Sequence, residues 1–245
     1  ECNELNIPVI LGVSEGAAKY MGGFNTIYKM TEGLIQDLNI KIPVCLHVDH
    51  AKSEKVCIAA IDAGFKSVMI DASIYQVEEN ILITKKVVDY AHKHNVSVEA
   101  EIGHIKEAKD NIEKMENATL EDCLKMVKET YIDSLAPALG SVHGLYKEEA
   151  NLDFETMQKI NDELEIPLVL HGGTGIEDEK IKHAIACGIS KININTDLQV
   201  AWSKDVKKFI KENDTVYDPR KIIQSGEKAI KRRVREIVTL FGTKL

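Results

Sequence analysis

Short apolar runs alternate with longer stretches of helical periodicity along the whole chain. Each apolar run is rich in Val, Ile, Leu or Ala, as expected of a strand buried on both faces of a parallel sheet. The runs predict seven strands, at residues 8–13, 43–50, 67–72, 97–103, 134–140, 167–172 and 191–196. Helices are predicted between them at residues 53–63, 78–94, 120–130, 153–164 and 178–187, followed by a charged helical tail over residues 200–245.

This strict alternation of strand and helix implies right-handed crossovers and one parallel sheet, either doubly wound or closed into a barrel. A closed (β/α)8 barrel, or TIM barrel, has eight strands and about 250 residues. The chain has 245 residues, and residues 1–7 have the character of the end of a crossover helix. If the sheet forms a barrel, we expect one domain, residues 1–245. It would hold strands 2 to 8 and a C-terminal helical extension, with the first βα unit missing.

Composition and charge narrow the class of protein. Hydrophobic residues make up 44% of the chain, charged residues 29%, and the net charge is -8, which argues against a general nucleic-acid binder. No apolar run approaches the roughly 18 residues of a membrane span, and no signal peptide is recognisable. The five cysteines are scattered without a CxxC pair, which favours reduced thiols. We expect a cytoplasmic protein without nucleic-acid or membrane partners.

Metal-ligand side chains are concentrated at the predicted carboxyl ends of strands, the barrel face where active sites form. Such residues end or follow six of the seven runs: His47, Asp49, His50, Asp71, Glu99, Glu101, His143, His171 and Asn193. A single histidine at a strand end is more often structural than catalytic. Three imidazoles from different strand ends, with carboxylates beside them, suit a catalytic Zn²⁺ that has three protein ligands and one open position.

Two strand-to-helix turns have the composition of a phosphate site. Residues 171–175 read His-Gly-Gly-Thr-Gly, and residues 193–197 read Asn-Ile-Asn-Thr-Asp. Glycine allows close approach of an anion to the backbone, and the following helix N-terminus presents N–H groups. Barrel enzymes often hold phosphate in the loops after strands 7 and 8. The alternative is a pair of ordinary tight turns.

Strand geometry predicts the direction of two further side chains. Alternation places His47 on the same side as Asp49 and opposite to His50, with a local bend in the chain as the alternative that would change this. Lys191 is expected at the start of its strand, away from the catalytic face, which argues against a Schiff-base lysine.

Several motifs occur in the order found in one known family: HVDH, SVMIDAS, VSVEAEIG, SLAPALGSVHGLYK, PLVLHGGTGI and KININTD. From about Ile7 onward the chain resembles the class II fructose-bisphosphate aldolases and their tagatose-bisphosphate relatives. The resemblance implies a lyase that reversibly cleaves fructose 1,6-bisphosphate to dihydroxyacetone phosphate and glyceraldehyde 3-phosphate, in glycolysis and gluconeogenesis. The alternatives are a tagatose-bisphosphate aldolase, or a degenerate homologue that binds metal or sugar phosphate with little activity.

The resemblance also implies a metal centre. His50, His143 and His171 would bind one catalytic Zn²⁺ per subunit, and Asp71 and Glu101 would lie close by as ligands of an alternative position. A site of this kind also accepts Co²⁺ or Mn²⁺ according to availability.

Further roles follow from the same resemblance. Asp49 would be the catalytic acid/base that handles the C4 hydroxyl proton of the substrate. Arg220, in the turn at residues 217–220, would meet the second phosphate. A monovalent cation, Na⁺ or K⁺, is expected near loop carbonyls, and the assembly is expected to be a homodimer or homotetramer. The residues implied to surround dihydroxyacetone phosphate are Gly144, Lys147, Gly172, Thr174, Asn193, Asn195 and Thr196.

The chain departs from the family pattern in three places. Relatives carry a Gly-Gly pair and then a proton-transferring Glu after the fourth strand, whereas here Lys106 and Glu107 occupy the glycine positions and Lys109 stands near that Glu. Ala51 replaces the usual glycine after the metal-binding histidine. The segment 73–75 lacks a histidine often found there. These changes are the basis of the degenerate-homologue alternative.

Overall fold

The computed structural model describes residues 1–105, 117–144 and 149–243, which contain a seven-stranded parallel sheet in the sequential order β1 to β7. The strands are β1 Val9–Ser14, β2 Val44–Ala51, β3 Ser67–Ile70, β4 Ser97–Ile102, β5 Ser134–Pro137, β6 Leu168–Leu170 and β7 Ile189–Ile192. All seven predicted strands are found and are parallel. The first six lie at the predicted places, whereas the seventh shares only two residues with its prediction, and most of the strands are shorter than the apolar runs.

Helices connect successive strands and form the outer layer of the fold. They are α1 Cys2–Leu5, α2 Glu15–Tyr20, α3 Phe24–Asp37, α4 Glu54–Ala63, α5 Val77–Ala91, α6 Leu120–Thr130, α7 Phe154–Glu163, α8 Asp178–Ala186, α9 Thr196–Glu212, α10 Pro219–Gln224 and α11 Glu227–Phe241. The core lies between sheet and helices. In β3, Val68, Met69 and Ile70 are all fully buried, because one face meets the helices and the other meets the interior of the curled sheet.

The curl of the sheet is evident from contacts between distant strands. The Nζ atom of Lys191 on β7 lies 2.8 Å from Oε2 of Glu99 on β4, and Nε2 of His47 on β2 lies 3.8 Å from the same oxygen. In a flat sheet, β4 and β7 would be about 14 Å apart. The described strands show no pairing between β1 and β7. The architecture is therefore a parallel sheet curled into a half-barrel, and the complete (β/α)8 barrel with a missing first unit stays a prediction.

A bulge at the end of β2 overturns the predicted direction of His50. Val48 pairs with Val68 and Ala51 pairs with Ile70, so β2 carries one extra residue between these two pairs. His50 occupies this bulge with a φ of 51°, in the left-handed region. The kink turns His50 toward the interior, on the side of Asp49, whereas plain alternation predicted the opposite side.

The end of the sheet also differs from the prediction. β7 ends at Ile192 and does not continue as a strand to residue 196, although Asn193 N–H still donates to the Leu170 carbonyl of β6 at 3.0 Å. Asn195 is the N-cap of α9, and Thr196 is its first residue. The apolar alternation in this segment reflects packing of a turn, and the helix start determines where the strand ends.

All five cysteines are free thiols, as the sequence predicts. In the part of the chain that the structure describes, no helix has the length and apolar character needed to cross a membrane.

Candidate active site

Three histidines meet at the carboxyl-terminal face of the sheet. His50 lies in the β2 bulge, His171 directly follows β6, and His143 lies in the segment after β5. One nitrogen from each lies within 4.8 Å of the others, and Nε2 of His50 is 2.9 Å from Nδ1 of His171. The rings are steeply inclined to one another, with His50 and His143 centroids 4.7 Å apart at 89°. The structure thus brings together the three predicted ligands around one point.

Two carboxylates each orient one imidazole of this cluster through a hydrogen bond to the ring. Nδ1–H of His50 donates to Oδ2 of Asp71 at 2.8 Å, and Nε2–H of His171 donates to Oε1 of Glu99 at 2.8 Å. We assign these tautomers from the hydrogen-bond partners, because both carboxylates accept. Nδ1 of His171 then carries a lone pair, which faces Nε2 of His50 within hydrogen-bond distance at 2.9 Å. Such an arrangement suits a cation held between them.

A second group of possible ligands shares His50. Its members are His50, Asp71 and Glu101, whose ligand atoms also lie within 4.8 Å of one another. Burial and the nearby Asp71 carboxylate raise the pKa of Glu101 to about 8. Its Oε2 atom is buried and has no hydrogen-bond partner among the described residues. A buried carboxyl group with an unpartnered oxygen beside a second carboxylate is suited to a cation.

The pKa values of these groups reflect burial opposed by close partners. Burial favours a lower pKa for His50, but the hydrogen bond to Asp71 and nearby carboxylates raise it above its usual value. Burial and the neighbouring imidazoles lower the pKa of His143 to about 4, so this ring is neutral at pH 7. Burial favours a higher pKa for Asp71, yet hydrogen bonds from His50, Lys52 and other donors hold it well below its usual range.

Asp49 lies at the edge of the histidine cluster, where its side chain stays partly open to solvent. Nδ2–H of Asn193 donates to Oδ1 of Asp49 at 3.0 Å, and the same amide nitrogen is 3.3 Å from Nδ1 of His171. Oδ1 of Asp49 is 4.0 Å from Nε2 of His50. A carboxylate in this position can exchange a proton with a molecule bound beside the histidines.

The two predicted phosphate turns lie side by side. Gly173 N–H donates to the Asn193 carbonyl at 3.4 Å, and Asp197 N–H donates to the Thr174 hydroxyl at 3.4 Å. Gly172 has a φ of 66°, and a Cβ atom there would lie 2.1 Å from the Val142 carbonyl oxygen. Only glycine fits this turn, which adjoins the N-terminus of the 17-residue helix α9.

The remaining predicted substrate residues differ in position. Gly144 follows His143 with a φ of 96°, and Asn195 and Thr196 form the start of α9. Lys147 lies outside the described residues, as does the altered loop at residues 106–111. Arg220 lies on α10 with its side chain 89% exposed and bonded to Asp218, and none of its contacts in the described chain is with the histidine cluster.

Several side chains that the motifs do not single out complete the site. Lys52 Nζ donates to Oδ2 of Asp71 at 2.5 Å, and Ser73 Oγ donates to Oδ1 at 2.7 Å. Nδ1 of His104 lies 2.9 Å from the Ser73 hydroxyl. Lys191 is the third residue of β7, and its amine reaches the interior, so the expectation that it lies away from the catalytic residues is wrong. The contacts of Lys52, His104 and Lys191 join segments that are distant in the chain, so no local spacing signals them, whereas Ser73 and Asp71 are two residues apart.

Comparison with known proteins gives consistent similarities. The family profile described as "Fructose-bisphosphate aldolase class-II" matches residues 1–244. The chain is 55% identical over 238 residues to a fructose-bisphosphate aldolase of Geobacillus stearothermophilus, covering 96% of this chain and 83% of that protein. It is 52% identical over 242 residues to one of Staphylococcus aureus, covering 98% of this chain and 85% of that protein.

Solved structures agree with these sequence similarities. The YdjI aldolase of Escherichia coli K12 superposes with a TM-score of 0.82 and 34% identity, over 99% of this chain and 84% of that chain. The fructose-bisphosphate aldolase of Campylobacter jejuni superposes with a TM-score of 0.83 and 26% identity, over 98% of this chain and 85% of that chain.

Proposed function

Because this chain belongs to the class II fructose-bisphosphate aldolase family, we propose that it is a metal-dependent aldolase. Its substrate is fructose 1,6-bisphosphate, which it cleaves reversibly to dihydroxyacetone phosphate and glyceraldehyde 3-phosphate. The observation that carries this proposal is the meeting of His50, His143 and His171 at the carboxyl-terminal face of the sheet, with one nitrogen from each within 4.8 Å of the others.

The donor set fits a zinc ion. His50, His143 and His171 supply three imidazole nitrogens from three separate loops or strands, and the fourth side of the group would be left for substrate. When bound there, Zn²⁺ supplies Lewis-acid polarisation of the substrate carbonyl. Asp71 and Glu101 offer the alternative position through their shared contact with His50.

Asp49 is the acid/base of the proposal. Cleavage of the C3–C4 bond requires removal of the C4 hydroxyl proton, and synthesis requires its return. Asp49 is the carboxylate at the open edge of the histidine cluster, and the amide of Asn193 fixes one of its oxygens at 3.0 Å. Its other oxygen remains available to the substrate hydroxyl.

The phosphate of dihydroxyacetone phosphate belongs in the paired turns at residues 171–175 and 193–197. Gly172 allows the Val142 backbone to pack against this turn, since a Cβ atom would lie 2.1 Å from the Val142 carbonyl oxygen, and α9 contributes the N–H groups of its first turn. Holding the phosphate there orients the reacting carbons toward the histidines. The other residues proposed to surround this phosphate are Gly144, Lys147, Thr174, Asn193, Asn195 and Thr196. Arg220 is proposed to meet the second phosphate of the substrate.

The test is cleavage of fructose 1,6-bisphosphate by the purified protein, followed by chelation with EDTA and readdition of Zn²⁺, Co²⁺ or Mn²⁺. Activity lost on chelation and recovered with metal supports the proposal. Activity that is indifferent to EDTA contradicts the metal mechanism. Tagatose 1,6-bisphosphate serves as the second substrate, and a zinc-loaded folded protein that cleaves neither sugar would be a degenerate homologue.

Three further predictions accompany the proposal. The (β/α)8 barrel would be completed by a strand between β1 and β7, consistent with the exposed Ile10 and Leu11 side chains on β1. A Na⁺ or K⁺ ion would lie near the loop carbonyls. The assembly would be a homodimer or homotetramer, which mass photometry measures directly.

A further inference from the structure

An ion pair between the buried Glu99 and the partly buried Lys191 contacts the histidine cluster through His171. Glu99 on β4 is 2% exposed, and its two oxygens are bonded to different partners. Oε1 accepts the hydrogen bond from Nε2–H of His171, and Oε2 accepts one from Lys191 Nζ, both at 2.8 Å. His171 is the one predicted zinc ligand that this pair contacts.

Lys191 forms an ion pair with the second oxygen of Glu99. An ammonium group can only donate hydrogen bonds, so Oε2 of Glu99 is the acceptor of the 2.8 Å contact with Lys191 Nζ. His47, with Nε2 3.8 Å from Oε2, supplies no charge at neutral pH, because burial lowers its pKa to about 4. Among the described neighbours of Glu99, Lys191 is therefore the compensating cation.

An ionised Glu99 dictates the tautomer of His171. A carboxylate without a proton can only accept, so the ring nitrogen that faces it must carry the hydrogen. That nitrogen is Nε2. The lone pair of neutral His171 then sits on Nδ1, which points at Nε2 of His50 and not at the core.

We propose that Glu99 and Lys191 are positioning residues, which hold His171 in the tautomer and orientation that presents Nδ1 to the metal. This inference rests on the proposed metal centre. Neither residue is among the proposed substrate-binding residues. The ion pair with Glu99 also gives the Lys191 amine a role other than Schiff-base chemistry. Removing an outer-shell carboxylate from a metal-binding histidine typically lowers metal affinity by about 10- to 100-fold.

The test uses double variants, because removing one partner alone leaves an unpaired buried charge. Glu99→Leu/Lys191→Met removes both charges and the acceptor. Glu99→Gln/Lys191→Met removes both charges but keeps an oxygen that can accept. The matched control, Glu78→Leu/Lys125→Met, removes an exposed ion pair, 2.6 Å long, that joins α5 and α6 away from the site. Circular dichroism and thermal unfolding establish which variants fold.

Zinc affinity is measured by competition with a chromophoric chelator, together with the visible spectrum of the Co²⁺-loaded protein. We expect about 10- to 100-fold weaker zinc binding and an altered Co²⁺ spectrum for the Leu/Met variant, a smaller loss for the Gln/Met variant, and no change for the control. A folded Leu/Met variant with the zinc affinity and Co²⁺ spectrum of the wild type would overturn the inference.

A second measurement does not depend on any Glu99 variant folding. Long-range ¹H–¹⁵N NMR of the metal-free wild type reports which ring nitrogen of His171 carries the proton, with assignment from His171→Asn. The Nε2–H tautomer is expected, and the Nδ1–H tautomer would overturn the inference. A wild type that shows Nε2–H but binds no zinc would instead contradict the proposed function.

Discussion

The Nε2 atom of His50 lies 2.9 Å from the Nδ1 atom of His171, although the two residues are 121 positions apart in the chain. Nitrogens of two histidines in a tetrahedral zinc site are about 3.3 Å apart, given Zn–N distances of about 2.0–2.1 Å. Entry of the ion therefore requires a separation of only a few tenths of an ångström. The site is close to its metal-binding geometry as folded.

His171→Ala removes one of the three proposed ligands, and with it the imidazole that donates a hydrogen bond to Glu99. We expect zinc affinity to fall by at least about 100-fold, beyond the loss typical of outer-shell changes. Zinc content after dialysis, measured by mass spectrometry of the metal, reports the effect. His92→Ala, an exposed histidine paired with Asp133, is the control and should keep its zinc. Full zinc occupancy in His171→Ala would contradict the proposed ligand set.

Asp49→Asn tests the acid/base assignment, because the amide keeps the shape of the side chain but cannot take a proton. The turnover number for fructose 1,6-bisphosphate should fall by about 10²- to 10⁴-fold, while zinc content stays unchanged. Asp89→Asn changes an exposed aspartate that pairs with Lys85 and should retain full turnover. The assignment is wrong if Asp49→Asn turns over substrate at the wild-type rate.

Gly172→Ala should destabilise the fold, since φ is 66° and the new methyl group would meet the Val142 carbonyl oxygen at 2.1 Å. The left-handed conformation alone costs about 1–2 kcal/mol for a residue with a side chain. Gly33→Ala is the matched control: Gly33 lies within α3, and its Cβ would meet nothing within 4 Å. That change should stabilise the protein by roughly 0.5–1 kcal/mol. Urea unfolding of both variants gives the comparison.

Cys57 and Cys123 should resist thiol reagents in the folded protein. Burial raises the pKa of each to about 12, so about one molecule in 10⁴ carries the thiolate at pH 8. Because the shift is upward, reactivity should appear only on unfolding or at strongly alkaline pH. Mapping of maleimide adducts by mass spectrometry is expected to show Cys2 and Cys45, which are partly exposed, modified first. Equal labelling of all the thiols at pH 8 would contradict this picture.

Arg220→Ala tests the proposed contact with the second phosphate of the substrate. Loss of a charged hydrogen bond worth about 1.5–3 kcal/mol would raise the Michaelis constant by about 10- to 100-fold. The neighbouring exposed Lys221 on α10 supplies the control, Lys221→Ala. An unchanged Michaelis constant in Arg220→Ala would remove Arg220 from the substrate site, and its contact with Asp218 would be its main role.

The seven strands, their parallel direction and the gathering of ligands at one face were all predictable. Continuous apolar runs mark strands buried on both faces, and the carboxyl ends of parallel strands necessarily share one edge of the sheet. His171 and Asp71 follow such strand ends directly, so the sequence alone predicts that they lie near the site. The adjacency of the two turns follows from the pairing of β6 with β7.

The direction of His50 was not predictable from alternation. A single extra residue in β2 reverses the side on which a side chain lies, and nothing in the local string HVDH announces the bulge. The same limit applies to Lys191. It was predicted to be the first residue of its strand, but it is the third residue of β7. Its amine meets Glu99 only because the sheet curls and brings β4 and β7 together.

By itself, the sequence determined which segments form strands and helices, which residue types reach the catalytic face, and where glycine is needed. These properties depend on periodicity and composition, which act over a few residues. Only the tertiary structure decided that His50 turns inward, that Asp71 and Glu99 each orient one imidazole, and that Lys191 pairs with Glu99. Those relationships depend on sheet register and curvature, which bring together residues as far apart in the chain as Glu99 and Lys191.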